Sequence, residues 1–284
     1  MQDNWEINDI EKLAQKIKNG PQEAYQYIQE KFSFVPRCFL DSLKVQWDLD
    51  PIGAINAIEF DVDGSRGFST NYTPKELIRI YQKCWEKSLE INQIHCDRKT
   101  KYERYHAQWL DKDWGEVSGD VIFSFPKDEL LKEIEALKVD KRYIMLFARL
   151  CYTLGNFIPV PKKGRGKLSV NTLHSYHRSY INGKQWERFD KYIFDSCISN
   201  KSKYNEYYNK FQGYYGNFLL SKNFFDGCLV SNNNVIDLVT LNECNDGKFG
   251  EINTKEDIEN YIINICASII IRGNKMRKCM EEPD

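Results

Sequence analysis

Residues 140–154 constrain the fold more than any other stretch. Read as a helix, they place Tyr143, Ile144, Met145, Phe147, Ala148, Leu150, Cys151 and Leu154 on most of its sides. A helix that is apolar nearly all round has to be enclosed by other elements, so it is expected at the centre of the fold. Gly155 follows and is expected to end it in the left-handed conformation.

Other helices are expected around it. Asn8 with Glu11 makes a capping pair ahead of the stripe Ile10, Leu13, Ala14 and Ile17 over 8–18. Gly20-Pro21 ends that helix and starts another, with Pro at the first helical position and Ala24, Tyr25, Ile28 and Phe32 turned inward. Thr73-Pro74-Lys75-Glu76 opens a helix running to about residue 89. Leu130, Leu131, Ile134 and Leu137 mark one over 127–138, and others are expected over 186–198 and 202–220. The last starts at the Thr254 and Asp257 capping pair and is expected to run to Ile271, with Gly273 ending it.

Extended structure is expected over 117–125 and 157–160, with a hairpin around Asn232-Asn233-Asn234. Residues 34–72 read as irregular, and 91–114 show no clear period. The expectation is one mainly α domain over 1–284 with a few short strands; α+β is the alternative. Residues 1–50 are a candidate N-terminal helical lobe and 51–284 the main helical domain.

Composition narrows the class. With 42% hydrophobic and 14% aromatic residues, the chain has too much to bury for a disordered protein. Nine scattered cysteines without a C-x-x-C pair suit a reducing cytoplasm and argue against both a disulfide scaffold and a zinc site. The N-terminus shows no signal peptide, and the apolar stretches at 143–154 and 261–271 are too short or too polar to span a bilayer. No membrane association, cofactor or metal is expected.

The net charge of −1 argues against a general DNA coater. It conceals an uneven distribution. Residues 141–186 contain no Asp or Glu and nine cations: Lys141, Arg142, Arg149, Lys162, Lys163, Arg165, Lys167, Arg178 and Lys184. At the chain's frequency of about one acid in seven residues, so long a gap is improbable by chance. Arg offers a bidentate fork and Lys a point charge to anionic oxygens. Gly164 and Gly166 let a backbone approach closely, and interleaved Tyr can stack on bases. The same window also reads as a solvated stretch whose cations pair with acids elsewhere.

Motifs of enzymatic type are incomplete. Glu59, Asp61 and Asp63 before Gly64 resemble the first motif of haloacid-dehalogenase-type phosphotransferases, with Ser118-Gly119-Asp120 as a candidate later acid. That family also needs a doubly wound sheet, which the element order does not suggest. Residues 107–173 hold no His, so an HNH-type nuclease would lack its general base, and Lys167 is followed by Leu168 rather than the Ser or Thr of a phosphate-binding loop. His106, His174 and His177 remain as imidazole bases that could work with Asp61 and Asp63.

Several fragments together resemble an uncharacterised bacterial family, a domain of unknown function. They are Phe60-Asp61, Tyr72-Thr73-Pro74 leading to Trp85, Tyr105-His106, the signature Thr-Leu-Gly-Asn-Phe-Ile-Pro-Val-Pro at 153–161, Asn171 and Phe189-Asp190. The resemblance spans about 58–220 and implies a cytoplasmic bacterial protein, without an activity. In that family an Arg follows the Asn closely; here the nearest is Arg178, seven residues on.

The leading expectation is a protein that binds a phosphate-bearing partner, nucleic acid or nucleotide, through 141–186. Lys162, Lys163, Arg165 and Lys167 would contact phosphates. Arg149, Asn156, Asn171, His174, His177 and Arg178 would line the pocket. A second class is a phosphoester-acting, nuclease-like enzyme using the histidines and Asp61 and Asp63. A third is an inhibitor or adaptor of a defence or mobile-element system, docking on an acidic protein with Tyr176, Tyr180 and Trp186 beside the basic face.

Overall fold

The structure is a computed structural model that describes residues 5–31, 83, 89–96, 103–110, 112–151, 153–161, 178–199 and 224–281. The elements in chain order are α1 (Ile10–Asn19), α2 (Pro21–Lys31), β1 (Leu89–Cys96), β2 (Glu103–Trp109), β3 (Lys112–Val121), α3 (Asp128–Ala136) and α4 (Lys141–Leu150). After a 3-10 turn (Leu154–Asn156) come β4 (Phe157–Pro161), β5 (Arg178–Ile181), β6 (Lys184–Glu187) and α5 (Phe189–Ile193), which continues as a π turn (Phe194–Ile198). Then follow β7 (Val230–Ser231), β8 (Asn234–Ile236), β9 (Glu243–Cys244) and α6 (Lys255–Glu281). Every ladder between these strands is antiparallel. The fold is therefore mixed helix and sheet rather than purely helical.

Among the described residues, α4 is buried over most of its length, as expected, and the middle of α6 is buried on all sides. Residues 261–274 are all buried, and α6 lies against α1, α4 and the 3-10 turn. The Thr254 hydroxyl accepts from the Asp257 N–H at 3.1 Å and the Asp257 carboxylate from the Thr254 N–H at 2.8 Å, closing the expected capping box. Gly273 does not end α6, which continues to Glu281. It lies against Gly155: a Cβ on Gly155 would lie 2.9 Å from the Gly273 nitrogen and would also collide with the Ile269 carbonyl oxygen. Gly155 likewise departs from expectation. It sits in the 3-10 turn rather than in a left-handed cap, because close approach to α6 is what requires glycine there.

A polar stripe on α6 fixes where other segments lie. Tyr261, Asn264, Ser268 and Arg272 recur at helical spacing, and each donates to a different backbone carbonyl. The acceptors are Glu187, Leu238, Cys228 and Gly155, at 3.1, 2.9, 2.8 and 2.9 Å. Buried carbonyls left unpaired are costly, so these bonds specify one arrangement.

The N-terminal helices share this core. The cap of α1 is Asp9 rather than Asn8, accepting from the Lys12 N–H at 3.2 Å. Pro21 opens α2 as expected, and Leu13, Ile17, Ala24 and Ile28 belong to the same apolar cluster as Ile258 and Ile269.

The described parts of 91–114 lie in adjacent antiparallel strands of the sheet β1-β2-β3-β4. Bulges between Gln93 and His95 and between Ala107 and Gln108 break the alternation that would reveal strands in the sequence. Pro159 and Pro161 lie in β4, an edge strand, where a missing N–H is tolerated. Residues 184–187 are a strand rather than a helix, paired with β5 through Asn182-Gly183, both at positive φ. The Asn232-Asn233 hairpin forms as expected. The expected helix over 202–220 and most of that over 74–89 lie outside the described residues.

Candidate functional site

The cations of the acid-free window divide into two groups. Lys141 reaches Glu135 at 3.7 Å, Arg142 holds Asp140 with contacts down to 2.6 Å, and Lys184 reaches Glu129 at 3.1 Å. Their partners lie just before the window in sequence. Arg149 is buried on α4, its guanidinium carbon 5.1 Å from the Tyr25 ring centroid. It stands between α4 and α2, in the interior. Arg178 opens β5, in register with Glu187. Lys162, Lys163, Arg165, Lys167, Asn171, His174 and His177 lie outside the described residues, as do Asp61 and Asp63.

Asn156 is fully buried and ties two segments together. Its side-chain amide donates to the carbonyls of Phe123 (3.0 Å) and Cys151 (2.8 Å), and its Oδ1 accepts from the Phe123 N–H (2.9 Å). Its own carbonyl accepts from the Ile122 N–H at 2.7 Å. Both amide hydrogens are thus engaged by backbone, which makes Asn156 a clamp on the strand-to-helix connection at Phe123.

That connection forms one wall of a groove of about 900 Å³. The opposite wall is β6, and the start of α3 closes one side. Val121 and Phe125, partly buried, supply apolar surface; Ser124, Gln185 and Glu187 supply polar groups. The Ser124 hydroxyl donates to Glu187 Oε2 at 2.6 Å, bridging the walls.

The β6 wall is held rigidly from behind. Trp186 is buried, edge-on to Tyr261 at 5.0 Å. Arg188, the next residue but one, is fully buried in an ionic network that sequence reading missed. Its Nε and Nη2 donate to Asp190 (2.9 and 2.6 Å), Nη2 also to Asp237 (3.1 Å), and Nη1 to Ser179 (3.3 Å) and the Gly250 carbonyl (3.0 Å). Asp190 further accepts from the N–H groups of Leu238 and Lys191. Asp237 accepts from the N–H groups of Val239 and Gly250 and from the Thr240 hydroxyl. Burial opposes charge on Arg188, and the adjoining Asp190 carboxylate more than offsets it, leaving the guanidinium above its ordinary value. Burial likewise opposes charge on Asp190, and Arg188 with the two N–H donors holds it below the ordinary carboxyl value. Phe189-Asp190 carried no visible chemistry in the sequence; an Arg and an Asp two apart look like a solvated pair until the chain around them is placed.

His106 lies on β2 with Nε2 2.9 Å from Asp113 Oδ1, which also accepts from the Gly115 N–H. Its partner is thus Asp113. Tyr105, Val117 and Pro161 form one row across β2, β3 and β4, so His106 lies near the sheet end where the chain enters the basic stretch. Asp120 lies in the antiparallel β3, unlike the parallel, doubly wound setting of a haloacid-dehalogenase-type site. Of the three aromatics expected beside the basic face, Trp186 is buried, Tyr180 is 55% exposed and Tyr176 is outside the described residues.

Cys151, Cys197, Cys228, Cys244, Cys266 and Cys279 are thiols rather than disulfides. No helix among the described residues is long and apolar enough to cross a membrane. No family model, curated protein or solved structure matches the chain.

Proposed function

We propose that the protein binds a phosphate-bearing partner, nucleic acid, through residues 162–178. One observation carries this reading: the run holding Lys162, Lys163, Arg165, Lys167 and Arg178 contains no acid and joins two anchored strands. The flanking cations of the original window have acids beside them or lie in the interior, which narrows the site to this run. Counterion release from phosphates would supply most of the affinity. An electrophoretic mobility shift with labelled single-stranded RNA and DNA at low salt tests it. Wild type should shift both, and replacement of Lys162, Lys163, Arg165 and Lys167 together by Ser should abolish the shift. Absence of a shift with wild type overturns the proposal.

The position of the His106–Asp113 pair favours a second reading, phosphoester cleavage with His106 as general base. Loss of strand cleavage in His106→Ala with retained binding would support it; an intact strand after incubation with wild type would end it.

A further inference from the structure

The groove beside β6 lies next to Arg178, the end of the basic run, and its described lining, unlike the run, carries acids. Resting on the phosphate-binding reading above, we infer that this groove takes one unpaired base of a single-stranded nucleic acid and favours bases bearing an exocyclic amino group, with Glu187 as the acceptor.

Charge separates the two surfaces. Asp128, Glu129 and Glu187 line the groove against Lys127 and Lys184, and Lys184 is already tied to Glu129. These residues offer phosphate no cluster of unpaired cations, whereas a neutral ring needs none. The phosphates belong to the run 162–178 and the base to the groove.

Continuity supports the same division. Glu187 is the cross-strand partner of Arg178, the last cation of the run. Position 178 therefore stands beside Glu187 at the groove's rim. The volume of about 900 Å³ lies in the range of small-molecule sites and leaves room for a base with its ribose. Val121 and Phe125, both only partly buried, give the ring an apolar surface.

The polar chemistry selects among bases. Among the described residues, Ser124 is the one hydrogen-bond partner of the Glu187 carboxylate, through Oε2. Oε1 remains to accept. Adenine, cytosine and guanine present amino groups to a carboxylate, whereas uracil presents carbonyl oxygens on either side of its one N–H. A paired base has its amino group engaged and its faces stacked, so a duplex cannot enter. The acceptor is also preorganised: the Tyr261 hydroxyl donates to the Glu187 carbonyl, and the next residue, Arg188, is held by Asp190.

Fluorescence anisotropy with labelled oligo(A), oligo(C), oligo(U) and a duplex of equal length tests the inference. Wild type should bind oligo(A) and oligo(C) about fivefold or more tighter than oligo(U). Glu187→Gln, which adds a donor at the same place, should bring that ratio toward one. The fourfold Ser variant of the basic run should weaken all strands alike. Competition by cytidine and uridine monophosphates on the unaltered protein gives the ranking independently of how any variant folds. Equal affinity for oligo(C) and oligo(U), or a preference that Glu187→Gln leaves intact, overturns the inference while leaving phosphate binding standing. Failure of wild type to bind any strand overturns both.

Discussion

Replacing Arg188 by Met isolates the contribution of the buried network. Met fills similar volume but removes five hydrogen bonds at once, to Asp190, Asp237, Ser179 and the Gly250 carbonyl. Two carboxylates then remain in the core without a cation. Removing one partner of a buried ion pair costs about 3–5 kcal/mol, because the other charge is stranded. For a chain of this size that corresponds to a melting temperature lower by about 6–20 °C. Equilibrium urea unfolding followed by tryptophan fluorescence measures it.

The pH dependence gives a sharper signature. Wild-type Asp190 is held below its ordinary value, so it contributes stability above the unfolded carboxyl value of about 3.9. That stability is lost as pH falls through the folded value. In Arg188→Met the Asp190 carboxylate keeps its burial and loses the cation, so its folded value rises above the unfolded one. The variant should therefore gain stability as pH falls from about 7 toward about 5, where the wild type does not. A loss under about 1 kcal/mol, set against the about 3–5 kcal/mol expected, would refute the reasoning. So would a variant whose stability follows the wild-type pH curve.

Two further outcomes follow from packing. Gly155→Ala drives a methyl into the α6 backbone and should cost about 3 kcal/mol or more. Gly183→Ala meets no atoms and strains only a positive φ, at about 1 kcal/mol; equal costs in urea unfolding would show that the α6 contact is loose. Burial pushes the Cys228 thiol up to about 12 and those of Cys151 and Cys266 well above their ordinary value. Native-state alkylation at about pH 8, read by mass spectrometry, should spare these three while the half-exposed Cys197 and Cys279 react; rapid labelling of Cys151 would contradict its burial.

Local signals were legible where local physics decides. Pro21, the Thr254–Asp257 box and the Asn232-Asn233 turn each act over four residues or fewer, and each appears where the sequence puts it. Signals that depend on a distant partner misled. Gly155 and Gly273 read as helix stops because each is a glycine after an apolar run; Gly155 instead sits where the α6 backbone at Ile269 and Gly273 leaves no room for a Cβ, and α6 runs on past Gly273. The Asn182-Gly183 turn was overlooked because Trp186, Phe189, Tyr192 and Ile193 mimic a helical stripe across a real strand-to-helix boundary. The charge window showed where cations concentrate. It could not show that Glu129, Glu135 and Asp140, all outside it, reach back to three of them. Nor does a sequence reveal that Asn156 spends its amide on Phe123 and so shapes the groove.

The salt dependence of binding tests the central claim most directly. Each phosphate neutralised on a single strand contributes about −0.7 to the slope of log K against log salt concentration. Wild type should show a steep negative slope. The variant with Lys162, Lys163, Arg165 and Lys167 replaced by Ser should be shallower by about 3. The same slope in both proteins would place the phosphates elsewhere and contradict the account.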